Sequence, residues 1–106
     1  LPVVANTNIT IDDVNGFAPN TLTIRAGQTV VWMNNGNNVH TASSNPGYNP
    51  AFDSGGMAKG QKFSQPFMTS GTYGYHSQTE PVYTADPNNP GNVTVAYQFN
   101  GTIVVQ

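Results

Sequence analysis

The chain has 106 residues, three of them basic, five acidic and none cysteine, for a net charge of −2. Three basic residues leave no electrostatic footprint for a nucleic-acid or membrane-surface partner, and no apolar run approaches the roughly 18–20 residues of a membrane helix. The absence of cysteine excludes a disulfide framework, a thiolate zinc site, an iron–sulfur cluster and a cysteine nucleophile.

Asparagine and threonine fill 26 positions and glycine another 11, but β-branched and aromatic residues are too frequent for a disordered chain. A single all-β domain over 1–106 is the expectation. Helical periodicity is missing and short alternating runs recur. Val3 to Ile11 reads as a first strand, closed by Asp12-Asp13 and the Asn15-Gly16 turn. Leu22 and Ile24 alternate with Thr21, Thr23 and Arg25, and Ala26-Gly27-Gln28 turns the chain. Val30 to Asn34 follows, with Val30 and Trp32 on one face and Val31 and Met33 on the other. Asn34 to Asn38 is a loop by composition, and Thr41 to Gly60 is a long, mostly irregular stretch. Phe63, Phe67 and the Tyr73/Tyr75 pair mark two further strands. A turn-rich segment, Asp86 to Gly91, precedes the alternation of Val93, Val95, Tyr97 and Phe99. Asn100-Gly101 is a hairpin signal, and Thr102 to Val105 closes the chain. Such spacing predicts a sandwich or barrel.

The N-terminus shows no basic region followed by an apolar stretch, so no signal peptide is visible. The chain starts at Leu1, which suggests a mature or trimmed product. Surface asparagine and threonine in place of lysine and glutamate point to an extracytoplasmic protein. Three N-x-[ST] sequons, at Asn8, Asn92 and Asn100, are compatible with that address, although this composition also generates sequons by chance.

The chemical inventory is small. His40 and His76 are the only histidines, among five carboxylates: Asp12, Asp13, Asp53, Glu80 and Asp86. Two histidines at the ends of separate strands can converge at one end of a sandwich. Glu80, four residues past His76, is the leading third metal ligand, with Asp53 and Tyr83 as alternatives. Ser43 and Ser44 lack the glycine pattern of a nucleophile elbow. Met33, Met57 and Met68 read as packing, and Trp32 with the Phe/Tyr set reads as core.

The run Phe17-x-Pro19-x-x-Leu22-x-Ile24-x-x-Gly27-x-x-Val30-x-Trp32-x-Asn34, with His40 six residues on, resembles the N-terminal half of the cupredoxins, the plastocyanin- and azurin-like copper proteins. The run Met57-x-x-Gly60-x-x-Phe63-x-x-x-Phe67-x-x-x-Gly71-x-Tyr73-x-Tyr75 resembles the segment leading into their copper loop, and Gly101 to Val105 their end strand. The resemblance implies a Greek-key β-sandwich with the metal at one end and His40 as first ligand. It breaks in the copper loop. His76 stands at the position assigned to the family's cysteine, Glu80-Pro81 replaces the later histidine, no methionine follows Met68, and Val82–Asn100 is a hairpin-like insertion before the last strand.

Imidazole and carboxylate without thiolate suit Cu(II) and remove the charge-transfer colour of a blue site. The expectation is one copper ion in a pale, type-2-like site held by His40, His76 and Glu80, for copper handling or slow electron transfer. A redox or copper-delivery protein would be its partner, without nucleic acid or membrane insertion. Two other readings stay open: a metal-free structural or cell-surface interaction module that kept the fold, and a small copper- or other metal-dependent oxidoreductase with an open coordination position.

Overall fold

The computed structural model describes residues 7–106, so the part of the expected first strand before Thr7 lies outside the described residues. Among the described residues ten strands form: β1 (Asn8–Asp12), β2 (Gly16–Ala18), β3 (Thr21–Ile24), β4 (Gln28–Asn34), β5 (Ser43–Ser44), β6 (Lys62–Phe67), β7 (Gly71–His76), β8 (Pro81–Asp86), β9 (Asn89–Tyr97) and β10 (Asn100–Val105). Two four-stranded sheets, ordered β2-β1-β4-β6 and β3-β10-β7-β5, make the sandwich, and β8-β9 is a separate two-stranded sheet. The parallel pairs β1/β4 and β3/β10 show that the chain crosses between sheets, as a Greek-key sandwich requires.

The alternation seen in the sequence sets which side chains meet. In β4, Val30, Trp32 and Asn34 are buried, while Val31 and Met33 are half-buried on the outer face. Trp32 is the centre of the core: it stacks on Phe52 at 5.3 Å and meets Tyr75 edge-on at 5.2 Å. Ile9, Ile11, Ile24, Ile103 and Phe67 close around it. Each fully buried aliphatic side chain of this kind contributes about 1.5–3 kcal/mol. Met57 belongs to this core, whereas Met68 is 70% exposed and not a packing residue. It ends up outside because it follows β6, where no strand covers it.

The end of the chain corrects one expectation. Asn100-Gly101 makes no hairpin turn between Val93–Phe99 and the last strand. These two residues are the first of β10, which lies antiparallel to β7 and parallel to β3. The hairpin forms one step earlier: β9 pairs with β8, with Tyr83 opposite Val95 and Val82 opposite Ala96. Among the described residues it is tied to the sandwich at its base, by Ser77 N–H donating to the Phe99 carbonyl at 3.0 Å, by Gln98 N–H donating to the Glu80 carbonyl at 2.9 Å and by Tyr97 stacking on His76 at 4.1 Å. Phe99 then turns back into the core. Gly16 makes room for it, since a Cβ there would fall 2.8 Å from the Phe99 ring and the backbone has φ +73°.

Candidate metal centre

His40 is presented by the loop after β4, and Asn34 orders that loop. The buried Asn34 amide donates to the carbonyls of Asn38 and Met57 at 2.8 and 2.7 Å, and its oxygen accepts from Gly36 N–H at 2.8 Å. His40 and Met57 exchange two backbone hydrogen bonds. The His40 side chain is therefore fixed from both directions, is 1% exposed and lies beside the Phe99 ring.

Both ring nitrogens of His40 face carboxylates. Nδ1 lies 3.1 and 3.2 Å from the two Glu80 oxygens, and Nε2 lies 2.7 Å from Asp13 Oδ1. Only the doubly protonated ring can donate to both. Asp13 also accepts the backbone N–H groups of Asn37 and Asn38. Its contact with His40, followed by that with Asn37, holds the Asp13 carboxyl below the usual range. The Thr79 hydroxyl donates to Glu80. Of the three expected ligands the structure thus places Glu80 against His40, and Asp13, which the sequence placed in the turn after the first strand, meets the other ring nitrogen.

The period of two along β7 redirects the other histidine. Tyr73 and Tyr75 point into the core, so the next inward position is Ser77 and His76 turns to the opposite side. Ser77 is wholly buried, its hydroxyl accepts from Thr41 N–H at 3.1 Å, and it meets the Thr79 hydroxyl at 3.0 Å. The side chain of this strand end that joins the His40 cluster is Ser77, and the cysteine position of the resemblance moves one residue, from His76 to Ser77. His76 has different company. Its Nδ1 lies 2.5 Å from Asn45 Oδ1, and its ring stacks on Tyr97 of β9 at 4.1 Å. Burial holds His76 below its usual pKa, against a smaller opposing effect from Asp53.

The structure accordingly brings His40 and Glu80 together and leaves His76 apart. Asp53 is occupied by the Ser43 hydroxyl and Gly55 N–H, and Tyr83 stands 67% exposed on the hairpin. Among the described residues, no group of three or more His, Cys, Asp or Glu side chains is arranged to hold a metal ion. Asp13 and Ser77 escaped the sequence reading for different reasons. Contact between Asp13 and His40 spans 27 positions and depends on how two loops meet. Ser77 was legible from the Tyr73/Tyr75 alternation, which continues to it by simple counting.

No known protein family and no curated protein matches the chain by sequence. Solved structures do match its fold. A purple cupredoxin from Nitrosopumilus maritimus superposes with TM-score 0.68 at 24% identity, over 95% of this chain and 100% of that one. A variant amicyanin in its Cu(I) form gives 0.65 at 25% identity, over 97% and 86%. A copper-containing nitrite reductase from Thermus scotoductus gives 0.67 at 21%, over all of this chain but 22% of that one. The chain has the cupredoxin fold.

Within this cupredoxin fold the donors can be tested for copper. Two ligand atoms about 2.1 Å from one metal in adjacent positions are about 3 Å apart. The separations of 3.1 and 3.2 Å between His40 Nδ1 and the Glu80 oxygens match that spacing. The pair fits as an imidazole–carboxylate edge of a nitrogen/oxygen site. It does not fit a thiolate site, because Ser77 brings a hydroxyl. A surface cavity of about 220 Å³ lies against Ile9, Val31 and Met33, and another of about 310 Å³ against Pro50 and Pro66. Neither is lined by His40 or Glu80.

Proposed function

We propose that this domain binds one copper ion, as Cu(II), at the His40–Glu80 pair and serves copper handling or slow electron transfer outside the cytoplasm. The observation that carries the reading is the buried His40 ring with Nδ1 at ligand-edge distance from Glu80, in a fold that closely matches copper proteins. An imidazole nitrogen and a carboxylate oxygen favour Cu(II) over the other divalent first-row metals. Copper held there would supply a one-electron couple. His76 stays outside this pair because Asn45 and Tyr97 hold its ring. A redox or copper-delivery protein is the partner this function needs. The test is the Cu(II) EPR spectrum of the wild type, His40→Ala, Glu80→Gln and His76→Ala. The wild type should show a protein-bound type-2 signal that His40→Ala loses, Glu80→Gln alters and His76→Ala keeps. An aquo-like spectrum in the wild type refutes the reading.

One observation favours a second reading, a metal-free interaction module. Both His40 nitrogens already have carboxylate partners, so the cluster can hold the loops together without a metal. In that case stoichiometric copper leaves the melting temperature unchanged, whereas tight binding raises it by mass action. A rise of several degrees rejects the module.

A further inference from the structure

We propose that Asn92, at the tip of the β8–β9 hairpin, is the N-glycosylation acceptor of this domain. Its substrate class is an oligosaccharide carried on a polyprenyl phosphate or pyrophosphate. Three sequons are present in the sequence, and the fold separates them.

The Asn8-Ile9-Thr10 sequon lies in β1, between β2 and β4, with Asn8 opposite Val31 and Ile9 fully buried. The Asn100-Gly101-Thr102 sequon lies in β10, between β3 and β7, and the Asn100 amide nitrogen donates to the Tyr97 carbonyl at 2.6 Å. That nitrogen is the atom a glycan would occupy. Asn8 and Asn100 therefore each lie on a sandwich strand with a partner on one side, and their sequon threonines, Thr10 and Thr102, are paired on both sides.

The Asn92-Val93-Thr94 sequon is different. The register of the hairpin jumps from Ala85 opposite Val93 to Asp86 opposite Asn89, which leaves residues 90–92 bulged out without cross-strand partners. Asn92, Val93 and Thr94 are all exposed. Among the described residues the Asn92 side chain has no hydrogen-bond partner, which leaves its amide accessible to a transferase. The hairpin has a reason to be covered: Tyr83, Val82, Val93 and Val95 are exposed, and Asp86 is the only charged residue between Pro81 and Tyr97. A glycan at the tip supplies the hydration that charge does not.

The transfer balances without a redox partner. The Asn92 amide nitrogen forms a bond to C1 of the first sugar, the bond from C1 to the lipid phosphate oxygen breaks, and the amide proton leaves with the lipid phosphate.

The test is secretion of the full chain from a host with oligosaccharyl transfer, followed by peptide mapping of wild type, Asn92→Gln, Thr94→Ala and Thr94→Ser. In parallel, purified folded protein is incubated with a transferase and its lipid-linked donor. The expected result is glycan on the Asn92 peptide in both arms, removed by an N-glycan amidase, lost in Asn92→Gln and Thr94→Ala, and retained in Thr94→Ser. An unmodified Asn92 in both arms, or occupancy at Asn8 or Asn100 equal to it, overturns the proposal. Neither arm involves copper.

Discussion

Replacing Gly101 by alanine tests how the end strand meets the core. A Cβ on Gly101 would lie 2.2 Å from both Cζ and the hydroxyl oxygen of Tyr75, directly opposite it in the sheet. Ordinary carbon contacts are about 3.5–4.0 Å, so the ring would have to retreat by more than about 1 Å. It has nowhere to go, because Tyr75 is fully buried, with Phe17 edge-on at 4.7 Å and Trp32 at 5.2 Å. Overpacking of a well-filled core costs about 1–3 kcal/mol, and this site belongs at or above the top of that range. About 3 kcal/mol lowers the folding constant roughly 100-fold and the melting temperature by about 12–24 °C for a domain of this size. Urea denaturation followed by tryptophan fluorescence reads the change, since Trp32 is the only tryptophan and is wholly buried. Gly91→Ala is the control: nothing lies within 4 Å of a Cβ there, so its stability should stay within about 1 kcal/mol of the wild type. Tyr75→Phe should not rescue Gly101→Ala, because Cζ remains in the way. A Gly101→Ala protein within 1 kcal/mol of the wild type refutes the packing argument.

Acidification should destabilise the fold in two stages. His76 has a lowered native pKa, so below about pH 6.5 the unfolded chain takes up a proton that the folded one refuses, and the contribution present above 6.5 is lost as pH falls; melting curves between pH 8 and 5 check this. Asp12 and Asp13, both held below 3.8, contribute stability above that value and lose it as pH falls further, so Asp13→Asn should blunt the loss between about pH 4 and 2. Replacing Val82–Ala96 by two glycines should leave the sandwich folded, with a stability change within about 1 kcal/mol, since among the described residues the hairpin is tied to it at its base; loss of the cooperative unfolding transition would contradict this. The inward position of Ser77 predicts that Ser77→Cys/Glu80→His gains an intense visible band with Cu(II), from thiolate charge transfer. His76→Cys/Glu80→His should not, and equal colour in both would overturn the placement of Ser77.

The sequence alone determined the all-β class, because a period of two with turn residues between short runs admits a sandwich or barrel; the cupredoxin resemblance narrowed this to a Greek-key sandwich, and the Trp32 and Tyr73/Tyr75 faces could be counted directly. It also settled that a thiolate site is impossible, and it named His40, His76 and Glu80 together as candidate ligands without showing which of them meet. The neighbours across the fold were not legible. Asp13 reaches His40 because the β1–β2 turn and the loop after β4 meet at the same end of the sandwich, a long-range juxtaposition with no local signal. The resemblance set His76 at the cysteine position, whereas the inward run Tyr73, Tyr75, Ser77 puts Ser77 on that side of the strand and His76 on the other. Asn100-Gly101 looked like a hairpin turn, yet β10 found β3 and β7 instead, since pairing there buries Ile103 and Val105 and pairing with exposed β9 would not. Local periodicity is written in the chain; which side chains share one end of the sandwich depends on loops that only tertiary packing brings together.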